Sequence, residues 1–214
     1  NDNWFQGVVH PGFLASNKVL MFNGALGTMS GRRVFSLGNA LPDQRARWPG
    51  AVLKWPESDR HMLSRLDPQQ LPAHVAVIMD GNGRWARQRC FVDRIRGLEA
   101  GIEAVRETTR TAAELGLQVL TLYAFSKENW SRPGKEVQAL MTLLAHFLVA
   151  ERDELMGNNI RLRMIGRHDD LPDKARDKLL ESMELTSGNS GMVLNLALSY
   201  GSRDEITRVA RDIA

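Results

Sequence analysis

Four short segments rich in apolar residues lie along residues 71–214, and stretches with helical periodicity separate them. We expect these segments to form buried strands at about 75–79, 118–125, 160–165 and 192–199. We expect helices near 84–90, 98–115, 135–156, 171–186 and 203–214. Strands that alternate with helices are typical of a parallel sheet with helical crossovers. The sequence therefore predicts an α/β fold for residues 71–214.

The first apolar run ends in a carboxylate, and a glycine-rich turn follows it. Residues 75–79 lead directly into Asp80, Gly81 and Gly83 leave the backbone open to a ligand, and Arg84 adds a positive charge. A carboxylate suits a hard cation, and bare amides and a guanidinium suit phosphate oxygens, so the pattern favours a magnesium-bound diphosphate. The simpler interpretation is a strand-to-helix turn in which Asp80 opens the helix.

A second strand end carries a similar concentration of polar groups. The run 118–125 is followed by Ser126, Asn129 and Arg132, which form hydrogen bonds, and by Trp130, which supplies a large apolar wall. Ligands of open α/β sheets bind outside the carboxyl ends of the strands. A loop that only turned the chain would have little use for a tryptophan and an arginine, so we expect a binding loop.

Together these segments resemble the cis-prenyltransferases. The matching pieces are His74 to Ala86, Leu122 to Pro133, Asn159 to Gly166 and Gly188 to Gly201. The resemblance implies a cis-prenyltransferase-like fold and an enzyme that transfers alkyl groups other than methyl. The implied reaction condenses isopentenyl diphosphate onto an allylic diphosphate such as farnesyl diphosphate. Its implied product is a long polyprenyl diphosphate with cis double bonds, the precursor of a carrier lipid.

The resemblance also implies roles for single residues. Asp80 matches the family's catalytic and magnesium-binding aspartate, so the implied cofactor is Mg²⁺, and Asn129 matches a residue that accepts or relays the proton lost in condensation. The implied substrate-binding residues are Gly81, Asn82, Gly83, Arg84, Trp85 and Arg94 around the allylic diphosphate, and Ser126, Lys127, Glu128, Trp130 and Arg132 in a loop over the substrate.

The sequence departs from the family pattern near the first motif. The family usually has a histidine after Gly97, whereas this chain has Leu98, so an imidazole that contacts the diphosphate is missing. The connection over residues 90–93 is also one residue longer than usual, so the match of Arg94 depends on where that residue is placed.

The C-terminal end also differs from the family pattern. Family members continue past the position of Ala214 with a strand, an arginine-rich segment that grips isopentenyl diphosphate and a metal-binding glutamate. We therefore expect residues 71–214 to be a truncated catalytic domain, with the C-terminal part of the fold missing. We also expect an unpaired sheet edge beyond the fourth strand.

An aspartate-rich segment at residues 169–173 fits the motif of the all-helical trans-prenyltransferases. Here it follows a predicted strand, contains Pro172 and has no second copy. We expect Asp169 or Asp170 to cap a helix, with Pro172 in its first turn.

Residues 81–86 also fit the glycine fingerprint of dinucleotide-binding folds. That fingerprint needs an acidic residue about 20 positions later, at the end of the second strand. The second strand here ends near residue 125, and Asp80 would repel a pyrophosphate that carried no metal. A dinucleotide site is therefore disfavoured.

The predicted helix 135–156 has a wide apolar face. Its apolar residues are Val137, Leu140, Met141, Leu144, Phe147 and Leu148. In the family such a helix lines the tunnel for the growing chain, whereas the spacing alone favours a plain core face.

Residues 1–70 carry scattered glycine, proline and arginine with no sustained period, so we expect an irregular or disordered N-terminal extension. They hold 8 Lys/Arg against 5 Asp/Glu, whereas residues 71–214 hold 20 of each. The matched domain has no basic excess, which argues against a nucleic-acid partner. Cys90 is the only cysteine, so an internal disulfide is excluded and a reducing compartment is favoured.

The family resemblance implies a cytoplasmic homodimer that contacts the membrane peripherally through its product. The alternative is a non-catalytic partner subunit or an inactive fragment. Asp80, Arg84, Asn129 and Arg132 favour the enzyme, because a subunit that only binds a partner need not keep them. Leu98 and the missing C-terminal part favour the alternative.

Overall fold

A five-stranded sheet organises the part of the chain that the computed structural model describes, which comprises residues 18–22, 67, 70–79 and 95–214. The strands are β1 (Lys18–Phe22), β2 (His74–Ile78), β3 (Val119–Ser126), β4 (Arg161–Gly166) and β5 (Val193–Tyr200). Their order across the sheet is β1-β2-β3-β5-β4. The four strands from β2 onward are parallel to their neighbours, and β1 runs antiparallel to β2.

Helices connect the parallel strands. They are α1 (Ile95–Glu114), α2 (Gly134–Ala150), α3 (Arg152–Gly157), α4 (Asp173–Leu185) and α5 (Ser202–Ile213), with short 3-10 helices η1 (Lys127–Ser131) and η2 (His168–Asp170). The predicted α/β fold with a parallel sheet and helical crossovers is confirmed, and each of the four predicted strands begins and ends within one residue of its observed bounds. None of the described helices combines the length and the apolar character that a bilayer span requires.

Several predicted elements differ from the structure. The single helix expected over 135–156 is interrupted at Glu151, which has φ −89° and ψ 0° and separates α2 from α3. Strand β1 was not predicted, because a five-residue strand gives little periodicity and its pairing with β2 is distant in sequence. The helix expected near 84–90 lies outside the described residues.

The predicted unpaired edge beyond the fourth strand of the parallel set is wrong. That strand is β5, and it lies between β3 and β4 with both of its sides paired. The reason is the last crossover, which returns the chain from β4 over α4 into the interior of the sheet. Among the described strands, β1 and β4 form the two edges.

The predicted capping role of Asp169 or Asp170 is also wrong. Helix α4 begins at Asp173 with Pro172 in the N-cap position, and no side chain caps it. Asp169 Oδ1 instead lies 2.9 Å from His168 Nδ1. Asp170 is turned toward β5, so a tertiary contact replaces the local cap.

The core lies between the sheet and helices α1, α2 and α4. Its most buried side chains include Leu120 and Leu122 of β3, Leu194 and Leu198 of β5, and Leu162 of β4. The six apolar residues predicted on the face of α2 all belong to this core or pack against it, since Met141 and Leu148 are buried and the other four are partly buried. The core interpretation of that face therefore accounts for the contacts observed.

An ion pair between the partly exposed Arg106 and the buried Glu151 ties α1 to the junction of α2 and α3. Arg106 donates through Nε to both carboxylate oxygens of Glu151, at 3.0 and 3.2 Å, and through Nη2 to Oε1 at 2.5 Å. The Glu151 side chain is only 6% exposed. A carboxylate at this depth needs its guanidinium partner, since burial of an unpaired charge is costly.

We expect Arg106→Ala to lower the free energy of unfolding by about 3 kcal/mol, because it leaves Glu151 buried without its partner. The matched control is Arg110→Ala, which breaks the exposed pair with Glu107 on the same helix. That change is expected to cost less than about 1 kcal/mol. Urea unfolding followed by circular dichroism measures both values, and equal losses would contradict the assigned role of the pair with Glu151.

Candidate active site

The carboxyl ends of the parallel strands meet at one edge of the sheet. Ile78 pairs with Tyr123, Ser126 pairs with Tyr200, and Gly166 pairs with Leu198 near the end of each ladder. This edge is where ligands of open α/β sheets bind. The loop that follows β3 is therefore placed where the sequence predicted a binding loop.

Strand β2 ends at this edge and precedes the first predicted segment in the sequence. Met79 is its last described residue. The predicted residues Asp80, Gly81, Asn82, Gly83, Arg84, Trp85 and Arg94 lie outside the described residues, and the roles assigned to them stay predictions. Leu98 belongs to α1 by its backbone.

The loop from Ser126 to Arg132 is held by its own polar groups. The Ser126 backbone amide donates to Asn129 Oδ1 at 3.1 Å, and the Ser131 hydroxyl donates to the Glu128 carbonyl at 2.7 Å. The Arg132 amide donates to the Asn129 carbonyl at 3.1 Å, which closes the turn. Asn129 thus stabilises the loop through its side chain as well as its backbone. A sequence that combines serine and asparagine at these positions favours such a short helical turn.

The charged side chains of the loop already have partners. Lys127 Nζ lies 2.8 Å from Asp204 Oδ1 in α5, and Arg132 Nη1 lies 3.1 Å from Glu136 Oε1 in α2. The pKa of the Asp204 carboxyl is lowered, chiefly by its hydrogen bond from Lys127. The Glu128 pKa is also lowered, first by its own backbone amide and then by the Ser126 hydroxyl. An anionic ligand at Lys127 or Arg132 would therefore compete with a carboxylate of the protein.

Trp130 attaches the loop to the interior. Its ring meets the ring of Phe125 edge-on, with centroids 4.8 Å apart. Its indole Nε1 donates to Ser199 Oγ at 2.9 Å, and the Ser199 hydroxyl donates to Asp170 Oδ2 at 2.6 Å. The predicted apolar wall is thus also a hydrogen-bond donor toward β5.

A tyrosine completes the end of β5. The Tyr200 hydroxyl donates to Glu205 Oε2 at 2.9 Å, and its ring centroid lies 5.7 Å from that of Tyr123. Burial, followed by the hydrogen bond to Glu205, raises the pKa of Tyr200 to about 12. The Tyr200 hydroxyl is therefore neutral at physiological pH and serves here as a hydrogen-bond donor.

The structure brings six of the predicted site residues into one turn. They are Ser126, Lys127, Glu128, Asn129, Trp130 and Arg132. Sequence reasoning missed the residues that hold this turn from outside, which are Asp170, Ser199 and Asp204. The segment Leu198-Ser199-Tyr200-Gly201 at a strand end was a usable signal, because polar residues there face the same edge as the loop.

The described side chains at this edge include several cations, which suit an anionic ligand. Among the described residues, no group of three or more His, Cys, Asp or Glu side chains could hold a metal ion. Lys127, Arg132 and Arg167 are partly exposed cationic groups near the edge.

Two bacterial relatives show the extent of the similarity. The chain is 49% identical over 153 residues to an isoprenyl transferase of Geobacter sulfurreducens, covering 70% of this chain and 62% of the relative. It is 50% identical over 148 residues to an isoprenyl transferase of Agrobacterium fabrum, covering 67% of this chain and 60% of the relative. The chain thus spans about three fifths of the length of these relatives.

Solved structures with the same fold give a consistent result. Lavandulyl diphosphate synthase from Lavandula x intermedia, solved in complex with dimethylallyl diphosphate, superposes with a TM-score of 0.61 at 33% identity, over 64% of this chain and 58% of that one. A probable undecaprenyl diphosphate synthase from Campylobacter jejuni gives a TM-score of 0.50 at 37% identity, over 53% of this chain and 56% of that one.

The sequence model of one family covers most of the described domain. The family is described as putative undecaprenyl diphosphate synthase, and its model matches residues 78–214. This match includes both segments singled out from the sequence, from Asp80 to Arg84 and from Ser126 to Arg132. The predicted resemblance to the cis-prenyltransferases is confirmed, and the chain belongs to the undecaprenyl diphosphate synthase family.

Proposed function

We propose that the protein is a cis-prenyltransferase that condenses isopentenyl diphosphate onto an allylic diphosphate such as farnesyl diphosphate. The observation that carries this proposal is the loop Ser126–Arg132 at the carboxyl edge of the parallel sheet, next to the strand that leads into Asp80. Membership in a prenyltransferase family supports the reaction class. The bound dimethylallyl diphosphate of the lavandulyl diphosphate synthase supports an allylic diphosphate as the kind of ligand. A long polyprenyl diphosphate as product is part of the same proposal.

The residue types suit the chemistry of allylic substitution. Diphosphate must leave an allylic carbon, and cations on its oxygens stabilise the charge that develops. We assign this task to Arg84 and Arg94, together with the backbone amides of Gly81, Asn82 and Gly83. Trp85 is proposed to lie beside the same diphosphate. The reacting carbon needs a surrounding from which water is excluded, and the Trp130 ring packed on Phe125 supplies apolar surface beside the loop.

The loss of a proton completes the condensation, and we assign Asn129 to this step as acceptor or relay. Its Oδ1 already accepts the Ser126 amide, and an amide oxygen has a second lone pair with which to receive another donor. Ser126, Lys127, Glu128 and Arg132 would then contact the substrate from the same turn. Lys127 and Arg132 are the cationic members of this group, so they are the natural contacts for phosphate oxygens.

A divalent metal, for which we propose Mg²⁺, fits the available donor set. Mg²⁺ is commonly held by one or two carboxylates together with substrate phosphates, so a cage made only of protein ligands is not required. Asp80 is the residue that would hold it. When bound, the metal would neutralise charge on the leaving diphosphate.

Homodimer formation, a cytoplasmic location and peripheral contact with the membrane through the product also belong to this proposal. They rest on the family, and the described residues carry no separate argument for them.

A non-catalytic partner subunit is the second candidate. The observation that favours it is Leu98, which stands where the family usually has a histidine that meets the diphosphate. Such a subunit would need neither Asp80 nor Arg84. The two experiments that follow therefore also separate the two candidates.

The first prediction concerns the metal. We expect Asp80→Asn to abolish incorporation of radiolabelled isopentenyl diphosphate and to remove the Mg²⁺ dependence of farnesyl diphosphate binding, because the variant loses the carboxylate charge that attracts the ion. The control is Asp169→Asn, whose carboxylate is 78% exposed on η2. It should leave both measurements unchanged. Normal incorporation by Asp80→Asn would exclude the metal assignment, and binding without incorporation by the unaltered protein would favour the partner subunit.

The second prediction concerns the diphosphate. We expect Arg84→Ala to weaken binding of farnesyl diphosphate by about 1.5–3 kcal/mol, the usual contribution of a charge-assisted hydrogen bond. Binding of the neutral alcohol farnesol should change little. Isothermal titration calorimetry measures both ligands, with the exposed Arg211→Ala in α5 as the control. A similar loss for the alcohol and the diphosphate would mean that Arg84 is a structural residue.

A further inference from the structure

Ser199 occupies a strained position at the end of β5. The ladder between β3 and β5 is irregular here, since it pairs Tyr123 with Ala197, Phe125 with Leu198 and Ser126 with Tyr200 and leaves both Ala124 and Ser199 without a ladder partner. Its φ of 46° lies in the left-handed region, which non-glycine residues seldom adopt. The residue is 1% exposed. An irregularity of this kind redirects a side chain, and strained residues cluster at functional sites.

The hydroxyl of Ser199 connects two segments that are distant in sequence. It accepts the indole N–H of Trp130 at 2.9 Å and donates its single hydrogen to Asp170 Oδ2 at 2.6 Å. The hydrogen bond to the carboxylate is charge-assisted and fixes the direction of the O–H bond. A lone pair of the Ser199 oxygen therefore points away from Asp170 and accepts the indole N–H of Trp130.

The close approach of β4 to β5 brings Asp170, which follows β4, within hydrogen-bond distance of Ser199. Gly166 ends β4 with a φ of 112°, and a Cβ built on it would lie 2.0 Å from the Leu198 carbonyl oxygen. The Arg167 amide donates to that same carbonyl at 3.2 Å, and Arg167 Nε lies 3.4 Å from Asp170 Oδ1. The two oxygens of Asp170 are thus divided between Ser199 and Arg167, which holds the carboxylate in place from both sides.

These contacts converge on the loop that carries the candidate substrate-binding residues. Trp130 lies between Asn129 and Arg132 in that loop, and its ring is the part that reaches into the core. We propose that Ser199 and Asp170 are positioning residues that fix the Trp130 indole and, through it, the conformation of the loop Ser126–Arg132. They do so from the side of β5 and η2. The inference rests on the function proposed above, in which this loop binds the diphosphate substrate.

A double-mutant cycle tests whether Ser199 acts through Trp130. Ser199→Gly removes the hydroxyl, and glycine tolerates the left-handed backbone, so the backbone conformation is kept without strain. We expect this change to raise the Kd for farnesyl diphosphate roughly tenfold, which corresponds to the loss of one hydrogen bond that orders the loop. In the Trp130→Phe background the same change should raise the Kd less than about twofold, because the donor is already absent. An equal rise in the Kd in the unaltered and the Trp130→Phe backgrounds would overturn the proposal.

Hydrogen exchange provides a readout that does not depend on any ligand. In Ser199→Gly and in Asp170→Asn, the amides of residues 126–132 should exchange faster, while those of the core strand β4 keep their rate. The control for Asp170→Asn is Asp169→Asn, next to it but exposed. Uniformly faster exchange over the whole domain would show a general structural role and overturn the proposal.

The two readouts separate the failure of this inference from the failure of the proposed function. If the unaltered protein binds no farnesyl diphosphate, the proposed function is wrong, and the exchange experiment decides alone whether Ser199 and Asp170 order the loop. If the unaltered protein binds and Ser199→Gly binds equally well, the proposed function stands and the positioning role is refuted.

Discussion

The pairing of β3 with β5 is the constraint on which the rest of the structure depends. The two strands are parallel, and their register places Leu120 beside Leu194 and Leu122 beside Leu196, all four at most 3% exposed. Because these strands lie at the centre of the sheet, their apolar contacts fix where β2 and β4 can pair. The same pairing brings the carboxyl ends together, which collects the polar loop segments at one edge. The ladder becomes irregular only there, where it skips Ala124 of β3 and Ser199 of β5.

The sequence predicted the four parallel strands well because each is a short segment rich in apolar residues. The order of the strands was less accessible, because alternation of strand and helix indicates parallel neighbours without saying which strands are adjacent. The missing information on strand order explains the wrong prediction of an open edge beside β5. The crossover over α4 places β5 in the interior of the sheet. Strand β1 was missed for a different reason, since its pairing with residues 74–78 depends on a contact that no local pattern encodes.

The candidate site shows the same division between local and distant information. The residues of the loop Ser126–Arg132 could be found from their types, because a loop that only turned the chain would have little use for a tryptophan and an arginine. Asp170 was misassigned, since an acidic residue before a proline resembles a helix cap, whereas its carboxylate is taken by Ser199 from β5. The role of Ser199 was not predictable from its neighbours. It depends on an irregular stretch of the β3–β5 ladder, which only the pairing of the two strands defines.

Two of the contacts that attach the loop differ in physical character. Lys127 is held by Asp204 through an exposed ion pair, with side chains 37% and 36% accessible, which dissolved salt or a competing anion weakens readily. Trp130 is held by Ser199, a buried residue, through a part-buried hydrogen bond between uncharged groups, which salt weakens less than it weakens an exposed ion pair. Under the proposed function, a diphosphate that displaced Asp204 from Lys127 would leave the contact between Trp130 and Ser199 in place. The ion pair of Lys127 can therefore break while the hydrogen bond of Trp130 keeps the loop attached.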